Sequence, residues 1–135
     1  MKMYRIGGSL IDSIEKVKSV ASVICDDAPK VVVLSAPSEA VISLQRIAAY
    51  FFSREIEKAH DAITRLEFRI FEFLNSLLNI EGIRERAVNY ILDCLRVIWV
   101  FARETLKPIE EKKIVAQGEL ITSALFSFYL EEQGV

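Results

Sequence analysis

The chain is poor in the residues that punctuate or staple a fold: its 135 residues include 5 glycines, 3 prolines, 2 cysteines, one histidine and one tryptophan. Cys25 and Cys94 lie far apart, with no Cys-x-x-Cys spacing and no clustered histidine, which argues against a disulfide framework and against a metal site. His60, flanked by Lys58 and Asp61, reads as part of a solvated helix face. Charge of one sign is also lacking. A formal net charge of −2 gives no general attraction to nucleic acid or anionic lipid, so neither is expected as a partner. The most apolar stretch, Tyr90 to Ala102, is broken by Asp93 and Arg96 and falls short of the roughly 20 apolar residues that span a bilayer. Met1 to Ile6 runs straight into Gly7-Gly8 without a long apolar segment or cleavage site, so nothing addresses the chain for export and a cytoplasmic location is expected.

What is present is apolar and strongly patterned. Hydrophobic residues make up 52% and charged residues 27%, a balance that excludes disorder and, at this length, favours one domain spanning 1–135. Lys2 to Ile6 is a short extended run stopped by Gly7-Gly8-Ser9, and residues 30 to 35 form a β-branched run stopped by Ala36-Pro37-Ser38. Between them Ile14, Val17, Val20, Ala21 and Ile24 recur at helical spacing, with Asp12 and Glu15 placed to cap the helix. Strand, helix, strand implies two parallel strands. A run as uniformly apolar as Val31 to Leu34 suits a sheet covered on both faces, which points to an α/β layered domain.

From Ser38 onward the spacing is helical. Val41, Leu44, Ile47, Ala48 and Phe51 line one helix, with Ser38 as its expected cap. Ile56, Ala59, Ile63, Leu66, Ile70, Phe73 and Leu77 alternate by three and four. Ile83, Ala87, Tyr90, Cys94, Val97 and Phe101 repeat that alternation after the short connection 79–82, predicting a long antiparallel helical hairpin. The seam is read as intrachain packing, with dimerisation as the alternative. Lys107-Pro108 ends this helix, and a last one is expected within Lys113 to Glu132, with Leu120, Ile121, Ala124, Leu125 and Phe128 inward and Gly134 as its stop.

Three places carry residue types suited to chemistry. A glycine pair between strand and helix lets backbone N–H groups approach phosphate oxygens, a use that Gly7, Gly8 and Ser9 fit; steric need alone also produces such turns. The loop Ser35 to Ser38 leaves the carboxyl end of the second strand, where open parallel sheets collect ligands, so the hydroxyls of Ser9, Ser35 and Ser38 are expected to share one crevice. Helix capping is the plainer role for these serines. The third place is Gly118-Glu119: glycine inside a helix costs about 1 kcal/mol relative to alanine, so some close approach is expected to require it.

Taken in order, Arg5-Ile6-Gly7-Gly8-Ser9, Val31-Val32-Val33-Leu34-Ser35-Ala36-Pro37-Ser38 and Ala116-Gln117-Gly118-Glu119-Leu120-Ile121-Thr122-Ser123 resemble the motif series of aspartate kinases, members of the amino-acid kinase family. The resemblance implies the amino-terminal, substrate-side part of a three-layer αβα, carbamate kinase-like fold. It implies ATP-dependent phosphorylation of the β-carboxylate of L-aspartate in aspartate-family (lysine) biosynthesis, with ATP and Mg2+ as cofactors that this chain would not hold tightly. By the same resemblance Gly7, Gly8 and Ser9 contact the transferring phosphate, Ser35 and Ser38 lie near phosphate and substrate carboxylates, and Glu119 accepts the substrate ammonium.

Two departures stand out. Arg5 occupies the place of the family lysine, exchanging a compact ammonium for a planar fork, and Lys2, about 10 Å away on the opposite strand face, cannot replace it. Val41 stands where the family has a substrate-binding hydroxyl. The 135 residues end at Gln133-Gly134-Val135, where a family member begins its next strand, so the nucleotide-binding half is not within them. The expectation is a fragment or truncated form, inactive alone, with self-association through its helices or an exposed sheet edge. A non-catalytic, kinase-like interaction protein is the alternative.

Overall fold

The computed structural model describes residues 1–101 and 108–135. Strand β1 (Lys2–Ile6) is followed by a single 3-10 turn (Gly8–Leu10) and helix α1 (Ile14–Ile24), then by strand β2 (Lys30–Leu34). Four longer helices complete the chain: α2 (Ser38–Phe52), α3 (Ile56–Leu77), α4 (Glu81–Val100) and α5 (Pro108–Glu132). The two strands pair in parallel, with Met3 opposite Val31, Tyr4 opposite Val32, Arg5 opposite Val33 and Ile6 opposite Leu34. Parallel pairing follows from the helical crossover, which returns the chain to the same end of the sheet.

The sheet is covered on one face. Tyr4, Ile6, Val32 and Leu34 pack into the core, whereas Met3 (70% exposed), Val31 (41%) and Val33 (47%) remain in solvent beside Arg5. Uniform apolarity in β2 anticipates cover on both faces, and among the described residues only one cover is supplied. Both strands are also edges, since among the described residues the sheet has only these two.

Helix α1 buries Val17, Ala21 and Ile24. Its cap differs from expectation: Ser13 adopts the extended conformation and its hydroxyl accepts the Lys16 N–H at 3.2 Å. That leaves the Asp12 carboxylate to pair with Lys16 Nζ at 2.9 Å. Lys30 closes the other end, donating to the Ile24 and Asp26 carbonyls. In α2 the inward residues Leu44, Ile47, Ala48 and Phe51 follow the sequence pattern, but Pro37 holds the cap position and Ser38 is already helical, so no side chain caps this helix. Arg54, at φ 60°, turns the chain out of α2.

The α3–α4 hairpin is antiparallel. At one end Leu78-Asn79-Ile80 joins the helices; at the other, the Trp99 indole donates to Glu67 Oε1 at 2.6 Å and meets the His60 ring edge-on. On α3 the expected Ala59, Ile63, Leu66 and Leu77 are buried, Ile56, Ile70 and Phe73 are half-buried, and Leu74 is buried in addition. On α4 it is rotated: Ala87, Ile91, Cys94, Leu95 and Ile98 are buried, while Tyr90 and Val97 are exposed. The reason is a second neighbour. Helix α4 packs more extensively on α5 than on α3, so its buried stripe faces the groove between both. Ala102 and Lys107, expected near the end of that helix, lie outside the described residues.

Helix α5 starts at Pro108, earlier than expected, in keeping with the preference of proline for a first helical turn. It runs past β2, α2 and α4, which explains burial on several sides: Ile114, Ile121, Ala124, Leu125, Phe126 and Tyr129 are buried and Leu120 is exposed. Gly134, at φ 80°, ends it as expected. No helix among the described residues is long and apolar enough to cross a membrane.

Candidate functional site

Two of the glycines that the sequence marks, Gly8 and Gly118, meet at Ala36. A Cβ built on Gly8 would stand 2.2 Å from the Ala36 carbonyl oxygen and 2.8 Å from Pro37 Cα. The loop after β1 therefore rests on the loop after β2, a contact reinforced by the Ser35 N–H donating to the Ile6 carbonyl at 3.0 Å. Ala36 is itself buried. From the other side comes Gly118, buried midway along α5, where a Cβ would lie 3.5 Å from Ala36 Cβ and 2.9 Å from Leu44 Cδ1. The close approach that a helical glycine predicts is thus that of α2 and of the Ala36 loop.

These distances divide the two glycines of the first loop. Gly8 is required by backbone-to-backbone packing, the steric role. Gly7, extended at φ −69° and opening the 3-10 turn, has nothing within 4 Å of a built Cβ, and its surroundings are open.

A hollow at the carboxyl ends of the strands is lined by Ser9, Asp12, Pro37, Ser38 and Glu39. Ser9 and Ser38, expected to share a crevice, do so. Ser35 and Glu119 are exposed and do not line this hollow, and Arg5 points out from the uncovered sheet face. Asp12 and Glu39 are additions that sequence reasoning missed. Asp12 was assigned to helix capping, which Ser13 performs instead, and Glu39 carries no signal beyond its place in the first turn of α2. Lys16 is a cation at this loop, bound to the Ser9 carbonyl at 3.0 Å and to Asp12.

Below the hollow, and sharing Asp12, Pro37 and Glu39 with it, an apolar chamber of about 180 Å³ opens between α2, α3 and α5. Burial pushes the Cys94 thiol up from its ordinary range, helped by the neighbouring Asp93 carboxylate, which keeps it in the unreactive protonated form. Among the described residues no three His, Cys, Asp or Glu side chains gather as a metal site. Of the carboxylates at the hollow, Asp12 is paired with Lys16 and Glu39 is exposed, a set that does not by itself make a Mg2+ site.

A parallel βαβ unit with glycine- and serine-bearing loops at the strand carboxyl ends and a helical hairpin beyond defines a helix-rich α/β class. The solved structures that resemble it are more specific. The chain matches aspartokinase III of E. coli, both in its complex with aspartate and ADP (R-state) and in its complex with lysine and aspartate (T-state), each with a TM-score of 0.77 and 23% sequence identity. All of this chain is covered, and it spans 30% of the aspartokinase chain. No family model matches the sequence, and no curated protein sequence does. The likeness is one of fold.

Proposed function

We propose that the chain is the substrate-side portion of an aspartate kinase-type domain, which phosphorylates the β-carboxylate of L-aspartate only when a nucleotide-binding half completes it. The observation that supports this reading most is the convergence of the Gly8 loop, the Ser35–Ser38 loop and Gly118 on Ala36. ATP, when bound, supplies the phosphoryl group. The part of this chain is to position: backbone N–H groups of Gly7, Gly8 and Ser9 face the phosphate and Ser38 orients a carboxylate, while Ser35, Glu119 and Arg5, which stand outside the hollow, take the substrate carboxylate, the ammonium and the place of the family lysine only where the completed site extends over them. Phosphoryl transfer is mostly positioning and charge stabilisation, which such a set can provide. Cover for Met3, Val31 and Val33 would come from the remaining half or from a second copy, each fully buried side chain contributing roughly 1.5–3 kcal/mol.

A second reading has its own observation. The hollow beside Ser9 and Ser38 carries the carboxylates of Asp12 and Glu39, and the nearby Lys16 is already paired with one of them. Negative charge there opposes phosphate unless a cation intervenes, and together with Arg5 and Val41 it favours a non-catalytic, kinase-like binding protein.

Calorimetric titration of the chain with L-aspartate, and separately with MgATP, distinguishes these. Aspartate binding that Glu119→Ala abolishes is the expected result, with no turnover by the chain alone. Aspartate affinity unchanged in Glu119→Ala refutes the site assignment, and no aspartate binding at all favours the second reading.

A further inference from the structure

The apolar chamber between α2, α3 and α5 carries an inference independent of any kinase activity. Its walls are Leu66, Ile70 and Phe73 from α3 and Ile121 and Leu125 from α5. At its mouth stand Glu39 and Ser43, one turn apart on α2, and Arg69 of α3, whose guanidinium donates to Ser43 Oγ at 3.1 Å. Asp12 also reaches the mouth but is neutralised by Lys16. Among the described residues neither Glu39 nor Arg69 has an ion-pair partner. The chamber thus presents one unpaired anion and one unpaired cation at the rim of an apolar space.

We propose that this chamber binds a zwitterionic amino acid with an apolar side chain, Arg69 receiving its carboxylate, Glu39 its ammonium and the chamber its side chain. Size agrees: about 180 Å³ compares with the roughly 150 Å³ apolar cavity that admits a benzene ring. An aromatic or branched aliphatic side chain fits. Aspartate does not, because its second carboxylate would be desolvated among leucine, isoleucine and phenylalanine side chains without a hydrogen-bond partner.

Calorimetry with L-phenylalanine tests the proposal, beside phenethylamine, which lacks the carboxylate, and 3-phenylpropanoate, which lacks the ammonium. Phenylalanine binds, and each single-charge analogue binds about 10-fold more weakly, the size expected for one charge-assisted hydrogen bond. Arg69→Gln and Glu39→Gln each reproduce the loss, and Ala40→Leu, at a half-buried position on the chamber wall, abolishes binding. Absence of phenylalanine binding, equal affinity for the analogues, or unchanged affinity in folded Ala40→Leu overturns the proposal. Should Ala40→Leu fail to fold, the exposed Arg69→Gln decides alone. Glu119→Ala leaves phenylalanine binding intact, so failure here is separable from failure of the kinase reading.

Discussion

A methyl group on Gly8 would reach within 2.2 Å of the Ala36 carbonyl oxygen, so the loops leaving the two strands are seated on one another through bare backbone. Since the obstacle is main chain, no side-chain rotation can relieve it. Gly8→Ala must part the loops, at a cost of about 1–3 kcal/mol typical of overpacking. Gly7→Ala, with open space and an ordinary φ, stays within about 0.5 kcal/mol of the parent. Urea unfolding of the two variants side by side checks the contrast; equal stabilities would show that the loops are not in contact.

The carboxylate of Glu132, in the last turn of α5, accepts the backbone N–H groups of Asn79 and Ile80 at 2.7 and 2.9 Å. It thereby caps the start of α4 from another helix, alongside the Arg86–Glu131 ion pair and the Arg86 guanidinium over the Phe128 ring. Glu132→Ala should cost about 1–2 kcal/mol, as loss of a cap does, and Glu132→Gln less, because its amide oxygen still accepts. Amide hydrogen exchange provides the local readout. Protection at Asn79 and Ile80 should fall in Glu132→Ala.

Trp99 is the single tryptophan, and its indole N–H is held by Glu67 across the hairpin. Its fluorescence therefore reports the junction of α3 and α4. Replacing Glu67 with leucine strands a partly buried donor and should cost about 1–3 kcal/mol. An altered Trp99 emission in the folded variant is expected as well. Parent-like emission and stability together would exclude the bond.

Acid should weaken the fold through two exposed carboxylates. The Lys30 ammonium, and then the Ala28 N–H, hold Asp26 below its ordinary 3.8; Lys58 and then Ser53 hold Glu55 below 4.5. Both groups bind protons more readily in the unfolded chain, so their contribution is complete above those ordinary values and is lost as pH falls through the depressed ones. Melting temperature measured downward from pH 4.5 should fall less steeply in an Asp26→Asn, Glu55→Gln double variant. Added salt should shrink the difference, since both pairs are exposed.

Much of the fold is legible in the sequence because it rests on local signals. The β-branched run 30–35 and the period of α3 depend on side-chain spacing, and the backbone pairs nearest neighbours in the chain accordingly. Legibility ends where two partners compete for one helix. The stripe Tyr90–Cys94–Val97 is a sound seam against a single neighbour; with α5 also present, Ile91, Leu95 and Ile98 bury more area in the groove between two helices. Cap positions slipped by one residue for a similar reason. Asp12 and Ser13 are both competent caps; the Ser13 hydroxyl takes the Lys16 N–H and the Asp12 carboxylate pairs with Lys16 Nζ.

The sequence by itself determined that two strands run parallel, that the two loops after them carry glycine and hydroxyl groups, that a glycine sits within the last helix, and that a long helical hairpin lies between them. Only the tertiary structure decided that Gly8 and Gly118 serve close packing on Ala36, that Asp12 and Glu39 enter the hollow with Ser9 and Ser38, and that one sheet face stays bare. Periodicity is a property of consecutive residues and survives in the linear order. Convergence and cover depend on which distant surfaces meet, and that is fixed by the burial available once all the helices compete for the same core.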